Sequence, residues 1–241
     1  MTGIDTRVTL NAGDLAREAA AVIADAIAAD PQAALVVATG ETPEPTYREL
    51  ARSVASGLDV SRIRVFQLDE YAGIAHDDRR SLYGWTMRGF AEPLGVEPER
   101  VTRLDGATAD LDASCRRYEA EVKEAGGFDL AILGLGPNGH IGFNEPPSAR
   151  DAPTRSVELS AESVASNARY WGGEDHVPRR AITAGMDLLM AASRILLIVS
   201  GNLKRSILAR VLDGPIGPDV PASFLQEHRD VVVLTDRDAR P

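Results

Sequence analysis

Short apolar runs alternate with helix-period stripes along nearly the whole chain. Ala33–Ala38, Arg62–Leu68, Leu130–Leu133 and Arg194–Ser200 are largely apolar and too short for helices, which suits strands covered on both faces. Residues 4–10 and 101–104 read as further short strands and Asp230–Thr235 as the last one. Between them, Asn11–Ala29 places Leu15, Ala19, Val22, Ile23, Ala26 and Ile27 at helical spacing. A second helix runs from Pro43 to about Val54, and a third over 81–91 with Ser81 as its cap and Pro93 and Gly95 marking a turn after it. Asp110–Ala125 is a fourth, with Leu111, Cys115, Tyr118 and Val122 on one stripe. Pro153–Leu159 is expected to be extended, Ser160–Trp171 helical, and Pro178 to open another helix towards Ala192. Helices from Lys204 to Leu212 and towards His228 complete the pattern. Such alternation predicts an α/β protein: a mainly parallel sheet with helices on both faces, as a single domain over residues 1–241. The stretch from about 160 to 185, two helices around Gly172-Gly173, is expected to form a lid.

One stretch departs from this rhythm. After the apolar run Leu130–Leu133 come Gly134, Gly136, Pro137, Gly139 and Gly142, with Asn138, His140 and Glu145 among them. Glycines so spaced fit neither a helix nor a strand interior, so this is a loop leaving a buried strand. An amide, an imidazole and a carboxylate within eight residues of such a loop are suited to proton transfer. In open parallel sheets ligands bind outside the carboxyl ends of the strands, and three other polar features fall there. Thr39-Gly-Glu-Thr42 joins a strand to a helix start, where backbone N–H groups and the helix dipole receive phosphate, with Thr39, Gly40 and Thr42 adding hydroxyls and close approach. Asp69 stands where the third strand empties. Lys204 lies in the first turn of a helix, against the dipole, where a bound anion would offset its charge.

Composition narrows the class. Asp plus Glu number 36 against 26 Lys plus Arg, so the net charge of −10 repels nucleic acid and anionic membranes, and an anionic substrate needs a local cluster. A lone Cys115 excludes an intrachain disulfide and a thiolate metal cluster. No apolar stretch reaches about 20 residues and no signal-peptide pattern opens the chain, so a cytoplasmic protein that spans no membrane is expected.

Ala38-Thr-Gly-Glu-Thr-Pro43, Leu68-Asp-Glu-Tyr-Ala-Gly73 and Gly134-Leu-Gly-Pro-Asn-Gly-His-Ile-Gly-Phe-Asn-Glu-Pro146 together resemble the glucosamine-6-phosphate deaminase (isomerase) family. Asn167-Ala-Arg-Tyr170, Val177–Thr183, Ser200-Gly-Asn-Leu-Lys204 and Pro221-Ala-Ser223 extend the likeness over almost the whole length. The resemblance implies a Rossmann-like fold and conversion of glucosamine 6-phosphate and water to fructose 6-phosphate and ammonia. It makes Asp69 the base moving a proton between C2 and C1, and His140 the group that opens the sugar ring, oriented by Glu145 and Asn138. Thr39, Gly40, Thr42, Arg169 and Lys204 would hold the phosphate, with Gly134 beside the sugar. It implies no metal and no cofactor, a small-molecule sugar phosphate as the only ligand, and leaves room for a homo-oligomer.

Two positions depart from the family pattern. Asn138 stands where some members carry Asp, and an amide orients an imidazole without stabilising its charged form. Glu41 stands where glycine is usual, inside the phosphate loop, and is expected to turn to solvent. Arg155 lies near where regulated members bind an activator, but too little of that pattern is present to imply regulation. The alternatives are an enzyme for another amino-sugar phosphate such as galactosamine 6-phosphate, a 6-phosphogluconolactonase, and a sugar-phosphate-binding regulator without catalysis. The lactonases usually continue into a Ser-Leu-Phe-Pro-like segment where this chain has Phe143-Asn-Glu-Pro146.

Overall fold

The structure is a computed structural model and describes residues 3–241. In chain order the elements are β1 (Ile4–Thr9), α1 (Ala12–Ala29), β2 (Ala34–Val37), α2 (Glu44–Ala55), β3 (Arg64–Gln67), β4 (Asp69–Tyr71) and α3 (Leu82–Thr86). A widened turn over Met87–Ala91 leads into α4 (Glu92–Leu94), followed by β5 (Val101–Thr102), α5 (Leu111–Glu124) and β6 (Leu130–Gly134). The last third holds β7 (Arg155–Glu158), α6 (Ala161–Trp171), β8 (Arg180–Thr183), α7 (Met186–Met190), β9 (Arg194–Val199), α8 (Arg205–Asp213) and β10 (Val231–Asp236).

Seven strands form one sheet in the order β1-β10-β9-β6-β2-β3-β5, with every pairing parallel. The two-residue alternation of side chains explains why its central strands are apolar throughout. Leu130 and Ile132 of β6 join Ile23, Tyr47, Leu50 and Phe90 on the face covered by α1, α2 and the 82–94 helical stretch. Ala131 and Leu133 join Tyr118, Leu189 and Leu208 on the face covered by α5, α7 and α8. Caps close the helices where polar residues precede them: Asn11, Ser81, Asp110 and Ser160 each accept a first-turn N–H.

The structure differs from the sequence expectation in three places. Residues 180–183 are not helical but form β8, the middle strand of a second sheet, β4-β8-β7, antiparallel on both sides. Only Met186–Met190 of the expected helix is helical. Backbone pairing with partners on both sides overrides the weak local preference of this segment, and Ala181, Ile182 and Thr183 are fully buried. Residues 180–183 of the stretch expected as a lid are thus a strand paired on both sides. Asp69 opens β4 rather than a loop. Pro93 belongs to α4, and the chain turns at Gly95, whose φ of 73° suits a residue without a side chain.

Candidate active site

From β2 the chain steps outward to β3 and β5, and from β6 it steps the other way to β9 and β10. A parallel sheet wound in two directions opens a crevice where the direction reverses, here between the carboxyl ends of β2 and β6. The strands delivering the polar loops are β9, β6, β2 and β3, four neighbours in the sheet. At about 4.8 Å per strand their exits span about 15 Å.

The loop after β6 is folded around its histidine. Gly136 N–H donates to the His140 carbonyl at 3.0 Å and Gly139 N–H to the Gly136 carbonyl at 3.1 Å. A Cβ on Gly136 would lie 2.2 Å from His140 Nε2, so the imidazole occupies space that only glycine leaves. Gly142, at φ 57°, brings the loop against Leu68 and Thr183, where a Cβ would lie 2.9 Å from Thr183 Oγ1.

His140 Nδ1 faces Glu145 Oε2 at 3.4 Å and Ser163 Oγ at 3.3 Å. Asn138 Nδ2 donates to Glu145 Oε2 at 2.8 Å and to Ser160 Oγ at 3.3 Å, while Asn138 Oδ1 accepts the His140 backbone N–H at 3.2 Å. Asn138 thus sets the carboxylate and the loop, not the ring itself. Burial pushes the Glu145 carboxyl up, but the hydrogen bond and charge of His140, helped by Ser163 and Asn138, outweigh it and hold the group at about 2. The carboxylate stays ionised beside the ring.

Asp69 stands just after β3, which lies two strands from β6 in the sheet. It is 7% exposed, and among the described residues its carboxyl oxygens accept no hydrogen bond. Burial, and after it the neighbouring Glu70 carboxylate, raises Asp69 from 3.8 to about 8. A polar frame fixes the backbone that carries it. Gln67 Nε2 donates to the Asp69 carbonyl at 2.7 Å and to Glu70 Oε2 at 3.0 Å, and Tyr118 donates its hydroxyl to the Gln67 carbonyl at 2.7 Å. Glu70 also accepts the backbone N–H groups of Tyr71, Leu82 and Tyr83. Asp69 pairs across the small sheet with Thr183, whose Oγ1 accepts the Phe143 N–H at 3.1 Å. One residue therefore ties the acid's strand to the histidine's loop.

The residues expected to hold an anion follow β2, which lies between β6 and β3, and β9, on the other side of β6. Gly40, at φ 101°, turns the chain into α2, whose Pro43 cap offers no side chain to the first-turn N–H groups. Thr39 and Thr42 stand half-buried on this turn. From the β9 side, Lys204 Nζ donates to the Leu135 carbonyl at 2.6 Å, and burial lowers its pKa. Gly134 ends β6 with open space where a side chain would be. Arg169 stands near the end of α6, paired with Glu41 at 2.8 Å. Glu41 is solvent-exposed as expected, but it is not free, because it engages this guanidinium.

Some contributors escaped the sequence reading. Ser160 and Ser163, at the start of α6, close over Asn138 and His140. Their signal was the capping pattern itself, since a cap and the residue three positions on face the same way. Thr46, in the first turn of α2, has a buried hydroxyl without a hydrogen-bond partner. Helix α6 lies on a small cluster of Tyr71, Phe143, Val164, Trp171, Val177 and Ala181, with Trp171 edge-on to Tyr71 at 5.1 Å. Among the described residues no helix is long and apolar enough to cross a membrane, and no three His, Cys, Asp or Glu side chains converge as metal ligands.

Comparison with known proteins agrees with this geometry. A glucosamine-6-phosphate deaminase of Halothermothrix orenii is 36% identical over 230 residues, 95% of each chain. Glucosamine-6-phosphate deaminase 1 of Bacillus subtilis is 41% identical over 227 residues, 94% of each chain. A solved structure described as a monomeric glucosamine-6-phosphate deaminase superposes with a TM-score of 0.94 at 40% identity, covering 99% of this chain and 98% of that one. A 6-phosphogluconolactonase from Thermotoga maritima, at 22% identity and a TM-score of 0.76 over 98% of this chain and all of that one, shares the fold. Residues 9–234 match the family described as glucosamine-6-phosphate isomerases/6-phosphogluconolactonase, and the chain belongs to it.

Proposed function

We propose that this protein isomerises and deaminates glucosamine 6-phosphate, consuming water and releasing fructose 6-phosphate and ammonia. The observation that carries the reading is Asp69: a buried, unpartnered carboxyl raised to about 8, tied through Thr183 to the histidine loop. A base is most effective when its pKa lies near the working pH. A substrate ammonium at C2 supplies the positive charge this carboxyl lacks and favours its ionised form.

In this reading the helix start at Thr39, Gly40 and Thr42, with Lys204 and Arg169, holds the phosphate. That places the sugar over Gly134, where no side chain intervenes. His140 carries a proton from the C1 hydroxyl to the ring oxygen, which breaks the C1–O5 bond and leaves an open-chain aldehyde. Glu145, held ionised, stabilises the imidazolium formed in that transfer, and Asn138 keeps the carboxylate in place. Asp69 then takes the C2 proton to give an enol-type intermediate and returns it to C1. The resulting C2 imine adds water and loses ammonia.

Helix α6, whose Ser163 touches the histidine and whose Arg169 pairs with Glu41 of the phosphate loop, acts as the lid. The names of the similar proteins favour the gluco epimer and, from the solved relative, a monomer. Ammonia release from glucosamine 6-phosphate, with galactosamine 6-phosphate and 6-phosphogluconolactone as counter-substrates, tests the reading. Asp69→Asn and His140→Gln should each abolish ammonia release with the fold intact. Lactone hydrolysis without ammonia release would replace the reading by the lactonase alternative.

A further inference from the structure

The charge pair linking the phosphate loop to α6 has no part in the chemistry above. Arg169 forms an ion pair with Glu41 Oε2 at 2.8 Å and donates an N–H to the Tyr170 hydroxyl at 2.7 Å, and its guanidinium lies 4.7 Å from the Tyr170 ring centre. The guanidinium is thus oriented by two side chains, Glu41 and Tyr170. Glu41 is flanked by Gly40 and Thr42, two members of the anion cradle. A carboxylate there can reach the same cation as the incoming phosphate. The other acid of the α2 first turn, Glu44, is paired with Arg48.

We propose that Glu41 is an affinity-setting residue, an internal carboxylate that pairs with Arg169 and must yield it to the substrate's phosphate. The inference rests on Arg169 being a phosphate ligand in the reading above. The exchange is feasible because the pair is weak. Both side chains are about 60% exposed, at 61% for Arg169 and 59% for Glu41, and exposed pairs contribute little. A phosphate dianion that also meets Lys204 and the helix start can displace the carboxylate. Until it does, Glu41 keeps the end of α6 against the loop, so binding swaps one anchor of the lid for another.

The test is a double-mutant cycle on Glu41 and Arg169 with inorganic phosphate as the probe, its dissociation constant read by calorimetry. Releasing an exposed pair corresponds to a gain of about two- to fivefold. Glu41→Gln in an otherwise native chain should tighten phosphate by that factor. It should lower KM for glucosamine 6-phosphate alike and leave kcat unchanged, with the gain shrinking as salt is added. In an Arg169→Ala background the same substitution should change nothing. An equal gain in both backgrounds would show simple charge repulsion and overturn the proposal, as would no gain in either. If wild type binds phosphate and Arg169→Ala binds it equally well, the gate fails while the sugar-phosphate reading stands. If the wild type binds no phosphate at all, that reading fails and the gate with it.

Discussion

Replacing Asp69 by asparagine should separate the chemical role of this carboxyl from its effect on the fold. In the unfolded chain the group titrates near 3.8, and in the folded protein near 8. Its folded pKa is raised, so the folded state binds the extra proton between those values and loses stability as pH climbs through that window. Each pH unit costs ~1.4 kcal/mol. At pH 7 the accumulated penalty is about 4 kcal/mol, comparable to the whole stability of a marginal domain. Asparagine has nearly the same shape and never ionises, but buries an amide with no waiting acceptor, at a cost of about 1–3 kcal/mol that does not vary with pH. Asp69→Asn should therefore be inactive and, at pH 7, more stable than the wild type by about 1–3 kcal/mol, the remainder of those two terms.

Urea denaturation of both proteins across pH 4.5 to 9 provides the measurement, because the difference cancels every other titrating group. The advantage of the variant should grow by ~1.4 kcal/mol per pH unit and level off above about 8. Near pH 4.5 the advantage should vanish or reverse, since the ionisation penalty has fallen to about 1 kcal/mol and no longer exceeds the amide penalty. A difference that stays flat over this range would show that Asp69 is not desolvated as the structure places it, and its assignment as a base near neutrality would fall with it. Such a group, destabilising at the working pH and retained, is expected where stability is traded for activity.

Three further perturbations address the surroundings of this acid and its partner. Gly136→Ala puts a methyl 2.2 Å from the His140 ring; kcat should fall by ten-fold or more while stability drops by about 1–3 kcal/mol, as overpacking does, and unchanged kcat would show that the ring need not stand there. Glu70→Gln removes the second cause of the raised Asp69 pKa, so the acid limb of kcat/KM should move to lower pH; a limb that stays or moves upward refutes the coupling. Ser163→Ala withdraws the hydroxyl 3.3 Å from His140 Nδ1 and should lower kcat several-fold with KM held, whereas a change confined to KM would make Ser163 a contact of the lid alone.

What the chain reveals without coordinates follows from how local each signal is. Residues 130–133 and 195–199 are legible as strands because both faces are covered, so every position is apolar. The helix over 111–124 is legible because its stripe repeats several times and Asp110 caps it. The second sheet was not legible. Asp69-Glu-Tyr71 and Arg180-Ala-Ile-Thr183 are too short and too mixed to show a period, and their partners lie far along the chain. The helix expected from Pro178 failed for the same reason, since a segment of weak preference takes the form its neighbours pair with. Glu41 and Arg169 are equally silent, because nothing in either neighbourhood announces a partner in a distant helix.

The crevice itself was legible for a different reason. Strand order could not be read, yet in a parallel sheet every strand leaves through the same edge whatever the order. Thr39, Asp69, His140 and Lys204 therefore had to emerge on one side of the molecule once their strands were recognised. The order then decides distance, and β9-β6-β2-β3 as consecutive neighbours makes that distance the width of a phosphorylated sugar rather than of the whole sheet. Two specifications remained for the second sheet to supply. It turns Asp69 out of the β3 exit into a buried strand, which raises its pKa, and through Thr183 it fixes that strand to the histidine loop. The part of the fold that sequence periodicity could not show is thus the part that buries this strand-end carboxyl and raises its pKa to about 8, the range the proposed base needs.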